Sequence, residues 1–260
     1  MTTTVHATPT TAATRVPMDP VRRTALVAGV LYLLTFVSIP TLAHYRPVKD
    51  HVGTFVLGGG STSGLMWGAL SEVIVGLAGI STAVVLFPVL KRQSETAALG
   101  LVTARLLETT LIFVSVASLL TLVALRDDVA GTAGTDPASI VTTGHTLIAV
   151  YKSTFLLSQS LMPAFIDLLL GYLLYRSGLV PRILPIVAFV GAPLLLASDI
   201  AIFFGAYANG SPVAGLAALP VAAFEFSLGV YLVVKGFKPS PITAGMTPAN
   251  TQAASRGVDA

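Results

Sequence analysis

Residues 66–88 read MWGALSEVIVGLAGISTAVVLFP, a stretch in which Glu72 is the one charged side chain. At about 1.5 Å per residue, a helix of this length spans about 35 Å, enough to cross a hydrocarbon layer about 30 Å thick. Lipid offers backbone groups no partner, so a spanning segment must be a helix or part of a closed barrel. A barrel strand alternates apolar and polar residues over roughly ten positions, whereas this run is continuously apolar, so it reads as a helix. Five further runs of the same kind occupy 24–43, 98–124, 154–175, 184–204 and 214–235. The expected fold is all-α, a polytopic transmembrane helical bundle of six spans.

Composition agrees with that class. Charged residues make up 10% of the 260 and hydrophobic residues 54%, against about a quarter charged in a soluble domain. Mean hydropathy is +0.83. The absence of cysteine excludes disulfides, thiol catalysis, thiolate metal sites and iron–sulfur clusters. A net charge of +3 invites a nucleic-acid reading, but no basic run exceeds a pair and no basic–aromatic interleaving occurs, so the expected partner is the lipid bilayer and not nucleic acid. The Thr-, Ala- and Pro-rich residues 1–21 and the similar 239–260 read as disordered tails around a membrane domain at 22–238.

Lysine and arginine set the orientation. With the N-terminus inside, the cytoplasmic segments hold Arg15, Arg22, Arg23, Lys91, Arg92, Arg176, Arg182, Lys235, Lys238 and Arg256, and the outer loops hold Arg46, Lys49 and Arg126. Both termini are therefore expected in the cytoplasm. Arg22-Arg23 followed by an apolar run ending in Thr41-Leu42-Ala43 loosely resembles a cleavable signal, but paired basic residues before a first span are what the positive-inside rule requires, and the run reads as a retained span. Asp136-Pro137 reads as the start of a short interfacial helix before span four.

Several stretches carry a family pattern in order. They are ALVAGVLYLLTF at 25–36, Arg105-Leu-Leu-Glu108, LGYLLYRSGLVPRILPIVAFVG at 170–191, and Pro220, Glu225 and VVKGFK at 233–238. Together they resemble a bacterial family of integral membrane proteins known as domain of unknown function 4386, over about 22–238. The resemblance implies a multi-pass protein of the bacterial cytoplasmic (inner) membrane and carries no activity, substrate or cofactor with it.

Ionisable residues inside the spans are the functional lead. A charge at the bilayer centre costs about 2.5–3.5 kcal/mol on insertion scales, so Glu72, Arg105, Glu108, Asp167, Asp199 and Glu225 are expected to face the bundle interior as a polar cluster. Gly64, Gly68, Glu72 and Gly76 form a small-residue stripe expected to admit a neighbouring helix, as do Ala218, Ala222, Glu225 and Gly229, while Ser153, Ser160, Pro163, Asp167 and Gly171 share a face of span four. Arg105 and Glu108, three apart, are placed to pair. Lys152, near the outer end of span four, is expected to snorkel to the headgroups or to reach Glu72 or Asp199. Five acids thus face two bases, so at least three carboxylates need a proton, a cation or water.

Other signals are weaker. His44, His51 and His145 fall on the outer side and could join the outer acids in a zinc site or proton relay, but none has metal-ligand spacing, and loop histidines are usually solvated. Gly58-Gly59-Gly60 lacks the Gly-Lys-Ser/Thr of a phosphate loop and reads as a flexible connection. No HExxH or GxSxG occurs, and Ser160 and Lys152 would be about 12 Å apart along one helix, too far for direct proton transfer. No internal repeat relates spans one to three with four to six. The expected function is a small transporter or ligand-binding membrane protein whose buried acids handle a proton or cation. The alternative is a membrane scaffold or regulatory protein whose polar residues serve helix assembly, and a lipid-directed enzyme using the outer histidines comes third.

Overall fold

The computed structural model describes residues 18–36, 38–131, 134 and 136–246. Among them every regular element is helical. Asp19 caps the first helix, α1 (Pro20–Thr35), by accepting from the Val21 amide at 3.3 Å, and Pro20 supplies a first-turn φ that needs no donor. Four short pieces follow at the far end: α2 (Ser38–Thr41), a 3₁₀ turn (Leu42–Tyr45), α3 (Arg46–Asp50) and α4 (Val52–Val56). The long helices are α5 (Ser63–Leu90), α6 (Glu95–Gly131), α7 (Pro137–Phe155), α8 (Met162–Ser177), α9 (Ile183–Phe203) and α10 (Pro212–Val234). A π-helical turn, Leu156–Leu161, joins α7 to α8 without a break.

Five helices are long and apolar enough to cross a membrane, with α7, the π turn and α8 counting as one rod of 41 residues. The first expected span, 24–43, is not a single helix. α1 has 16 residues, about 24 Å, and ends at Thr35 because Pro40 cannot donate to the carbonyl of Phe36 and its ring crowds that oxygen. The short interfacial helix expected at Asp136-Pro137 is also corrected. Asp136 does cap a helix start, accepting from Ala138 and Ser139, but the helix runs on into span four.

The helices close into a ring. α1 packs on α5 and α10, α5 on α6, α6 on α7 and α8, α8 on α9, and α9 on α10. Where α1 meets α10, a Cβ on Gly29 would lie 2.7 Å from the Gly229 carbonyl oxygen, so only glycine permits that approach. Arg22 donates to the carbonyls of Leu232 and Val233, capping α10 and bringing both ends of the membrane domain to one end of the bundle. Gly191 of α9 meets Pro220 of α10 in the same way, with a Cβ placed 2.9 Å from the proline.

The main core holds Tyr32, Leu86, Leu101, Leu170, Phe224 and their neighbours. A second core lies at the α3–α4 end, where α6 and α7 run past the length a bilayer requires and sandwich Val52, Phe55 and Val56 against Leu122 and Ile140. Length and hydropathy alone left no room for such a core. The triple-glycine segment belongs to it. With Gly58 and Gly60 at φ +97° and +71°, all three carbonyls turn toward Arg126, which donates to them at 2.9–3.0 Å and lies over the Phe55 ring. The expected flexible connection is thus a pinned turn.

At the opposite end the chain stays docked beyond Lys238. The Lys238 amide donates to Leu179, Ser240 to the Ser177 carbonyl, and Arg92 to Ile242 and Ala244. Residues 239–246 therefore depart from the disordered tail expected at 239–260, while residues 1–17 and 247–260 lie outside the described residues.

Candidate functional site

The π turn organises the polar interior. Pro163 removes the amide that would serve the Gln159 carbonyl, and the turn widens just ahead of it, carrying Ser158, Gln159 and Ser160. Gln159 Nε2 donates to Glu72 Oε1 at 2.9 Å. Ser160 Oγ donates to Asp199 Oδ1 on α9. Two adjacent residues of one turn thus reach acids on two different helices.

Glu72 is fully buried and takes two further donors, the hydroxyls of Tyr45 at 3.2 Å and Tyr151 at 3.3 Å. Its small-residue stripe serves two purposes. A Cβ on Gly68 would sit 2.5 Å from the Tyr45 ring, so this part admits an aromatic side chain from the 3₁₀ turn and not a helix. Gly76 does admit a helix, with Thr109 of α6 donating to its carbonyl at 2.9 Å. Burial, and then the charge and hydrogen bond of Glu72, push the Tyr45 hydroxyl above the usual tyrosine range, so it remains a donor.

Arg105 forms the centre of the second group. Nη1 meets Glu108 Oε2 at 2.9 Å along α6, and Nη2 meets Glu225 Oε1 of α10 at 2.9 Å. Nη2 also donates to the Tyr32 hydroxyl of α1 at 3.4 Å, and the guanidinium lies 5.6 Å from that ring's centre. One cation therefore ties three helices and two acids. Asp167 of α8 is fully buried, neither of its oxygens has a hydrogen-bond partner among the described residues, and the charges it feels are those of Glu225, Arg105 and Glu108.

Part of this network borders a cavity of about 190 Å³, whose lining does not include Glu72, Asp167 or Asp199. Arg105, Glu108 and Glu225 line it directly, and Gln159 and Ser160, which hold Glu72 and Asp199, form part of the same wall. Ala218 and Ala222 of α10 leave the space, and residues of α1, α5 and α9 line the rest of a partly open recess. The arrangement can hold a small polar or cationic species against an acid-rich wall in a water-poor bundle.

A model of the family described as Domain of unknown function (DUF4386) matches residues 27–236. The chain belongs to that family. No curated protein and no solved structure matches it. The DUF4386 match encloses every residue of the polar cluster: Glu72, Arg105, Glu108, Asp167, Asp199 and Glu225.

The secondary residues stand apart. Among the described residues both ion pairs are Arg105's, so Lys152 reaches neither Glu72 nor Asp199. It is exposed and lines a different cavity. His44, His51 and His145 are exposed, and no group of three or more metal-ligating side chains forms among the described residues. Sequence reasoning missed Tyr32, Tyr45, Tyr151 and Gln159. Gln159, a glutamine flanked by two serines within an apolar run, was a visible signal; the tyrosines were not.

Proposed function

We propose that this DUF4386 chain is a six-span protein of a bacterial cytoplasmic membrane, with both termini in the cytoplasm, that takes up and passes a proton or small cation at the Arg105 cavity. The observation that carries the reading is Asp167. Its carboxyl is fully buried and without a partner among the described residues, beside a triad that already holds two acids for one base. An unpaired buried carboxylate costs several kcal/mol, so the site calls for a positive species, a proton or a cation. The sixth crossing is α1 extended by α2, since α1 closes the ring between α5 and α10 and carries Tyr32 into the site.

The test is proton flux in proteoliposomes that enclose a pH-sensitive dye, driven by a potassium diffusion potential. Wild type is expected to acidify the lumen, and Asp167→Asn to lose that flux while melting at the wild-type temperature. Equal flux from the variant, or none from wild type, overturns the reading. One observation favours the scaffold alternative, namely that Arg105 ties α1, α6 and α10 together. That reading expects Glu225→Gln to lower the melting temperature with no ion flux in any form of the protein.

A further inference from the structure

A cavity of about 530 Å³ opens at the α3–α4 end, between α7, the π turn and the connection from α9 to α10. Its wall holds two lysines, Lys49 of α3 and Lys152 of α7, with Ser153 and Asn209 beside them and Phe155 and Ile202 below. Neither lysine has an ion-pair partner among the described residues. Lys49 is half-buried, with Nζ 5.5 Å from the centre of the Tyr151 ring. Burial and then the charge of Lys152 hold its ammonium below the usual lysine range.

The charges acting on Lys49 also include Asp50 and Arg46 on its own helix and Glu72 from α5. Three cations therefore face two acids, and Glu72 is already engaged by two tyrosines and a glutamine. The surplus is positive and lies in a concave wall with an apolar floor. Trp67 at the start of α5, and Phe203 and Phe204 at the end of α9, are 64%, 70% and 82% exposed, and a tryptophan at a helix end suits the headgroup zone of a bilayer.

We propose that this groove binds the phosphate of an anionic phospholipid. Lys49 and Lys152 supply the counter-charge, Ser153 and Asn209 supply hydroxyl and amide donors, and an acyl chain runs along Phe155 and Ile202. A recess between helices that carries two lysines, a hydroxyl and an amide has the chemistry of such a site. The apolar floor favours a lipid over a free phosphate, which needs charge alone.

The purified full chain in a neutral detergent is tested by thermal melting and native mass spectrometry with phosphatidylglycerol, phosphatidylcholine and water-soluble glycerol phosphate. Wild type is expected to melt higher with phosphatidylglycerol than with phosphatidylcholine, to retain it in the spectrometer, and to ignore glycerol phosphate. Lys49→Gln with Lys152→Gln should erase the preference, and the corresponding double arginine variant should keep it. Lys91→Gln, at the other end of the bundle, serves as the control and should leave it intact. The proposal is overturned if the double glutamine variant keeps the preference, if wild type does not distinguish the two lipids, or if glycerol phosphate displaces phosphatidylglycerol. Should the double glutamine variant fail to fold, Lys152→Gln alone, at an exposed position, must still reduce retention at least severalfold, and unchanged retention overturns the proposal equally.

Discussion

Arg105 is the residue on which the interior charge balance turns. Removing one partner of a buried ion pair leaves the other uncompensated, at about 3–5 kcal/mol. Arg105→Ala strands both Glu108 and Glu225 and is expected to lower stability by about that amount, read as denaturant unfolding in detergent micelles. Glu225→Gln, which leaves Arg105 paired with Glu108, should cost clearly less, and an equal loss would show that the two acids do not share the cation. At Glu72, Gly68→Ala is expected to push the Tyr45 ring off its seat and to shift that tyrosine's near-ultraviolet signal, because the new Cβ would stand 2.5 Å from the ring. The acids were legible in the sequence because charge is rare in a span, and the Arg105–Glu108 pair because three residues separate its members. The link from Arg105 to Glu225 crosses 120 positions, and those from Glu72 to Tyr45, Tyr151 and Gln159 cross 27, 79 and 87, which no local pattern encodes.

Among the elements, the π turn decides which side chains meet. It inserts the equivalent of one residue into the 41-residue rod, so deleting Leu157 would restore a regular α-helix, leaving α7 and α8 in phase but removing the widened turn that presents Gln159 and Ser160. The deletion is expected to part Gln159 from Glu72 and to cost several degrees of melting temperature. The apolar run at 154–175 was legible, but neither its continuation back to Pro137 nor the widened turn was, since hydropathy does not register a single-residue phase change. The break after α1 was marked by Pro40, whose effect on Phe36 outweighed the apolar content around it. The length of α6 was missed for the opposite reason. Its outer turns carry Arg126, Asp127 and Asp128, which read as loop, yet they continue the helix because α4 and α7 pack against it.

For the whole molecule, the basic residues sort to its two ends. Among the described residues, Arg22, Arg23, Lys91, Arg92, Arg176, Arg182, Lys235 and Lys238 lie at the end where α1 begins and α10 finishes, while Arg46, Lys49, Arg126 and Lys152 lie at the other and Arg105 stays inside. The cysteine-free chain makes the orientation directly measurable. Ser61→Cys in intact cells is expected to react with a membrane-impermeant maleimide, and Ser94→Cys only after permeabilisation; the reverse pattern would invert the topology. Fold class and end-to-end polarity were legible because lipid imposes them on composition. The second core at the α3–α4 end was not, since its members are scattered among short segments that only tertiary packing makes helical.

The closure between α1 and α10 constrains how the protein is made. Gly29 and Arg22 are synthesised some two hundred residues before Gly229 and the carbonyls of Leu232 and Val233 that they meet. Until α10 leaves the translocon, α1 has one open flank and Arg105, held by Glu108 and Tyr32, lacks Glu225. Biogenesis therefore passes through a half-built barrel with an uncovered cation facing its seam, and the last helix to enter is the one that seals both the wall and the charge.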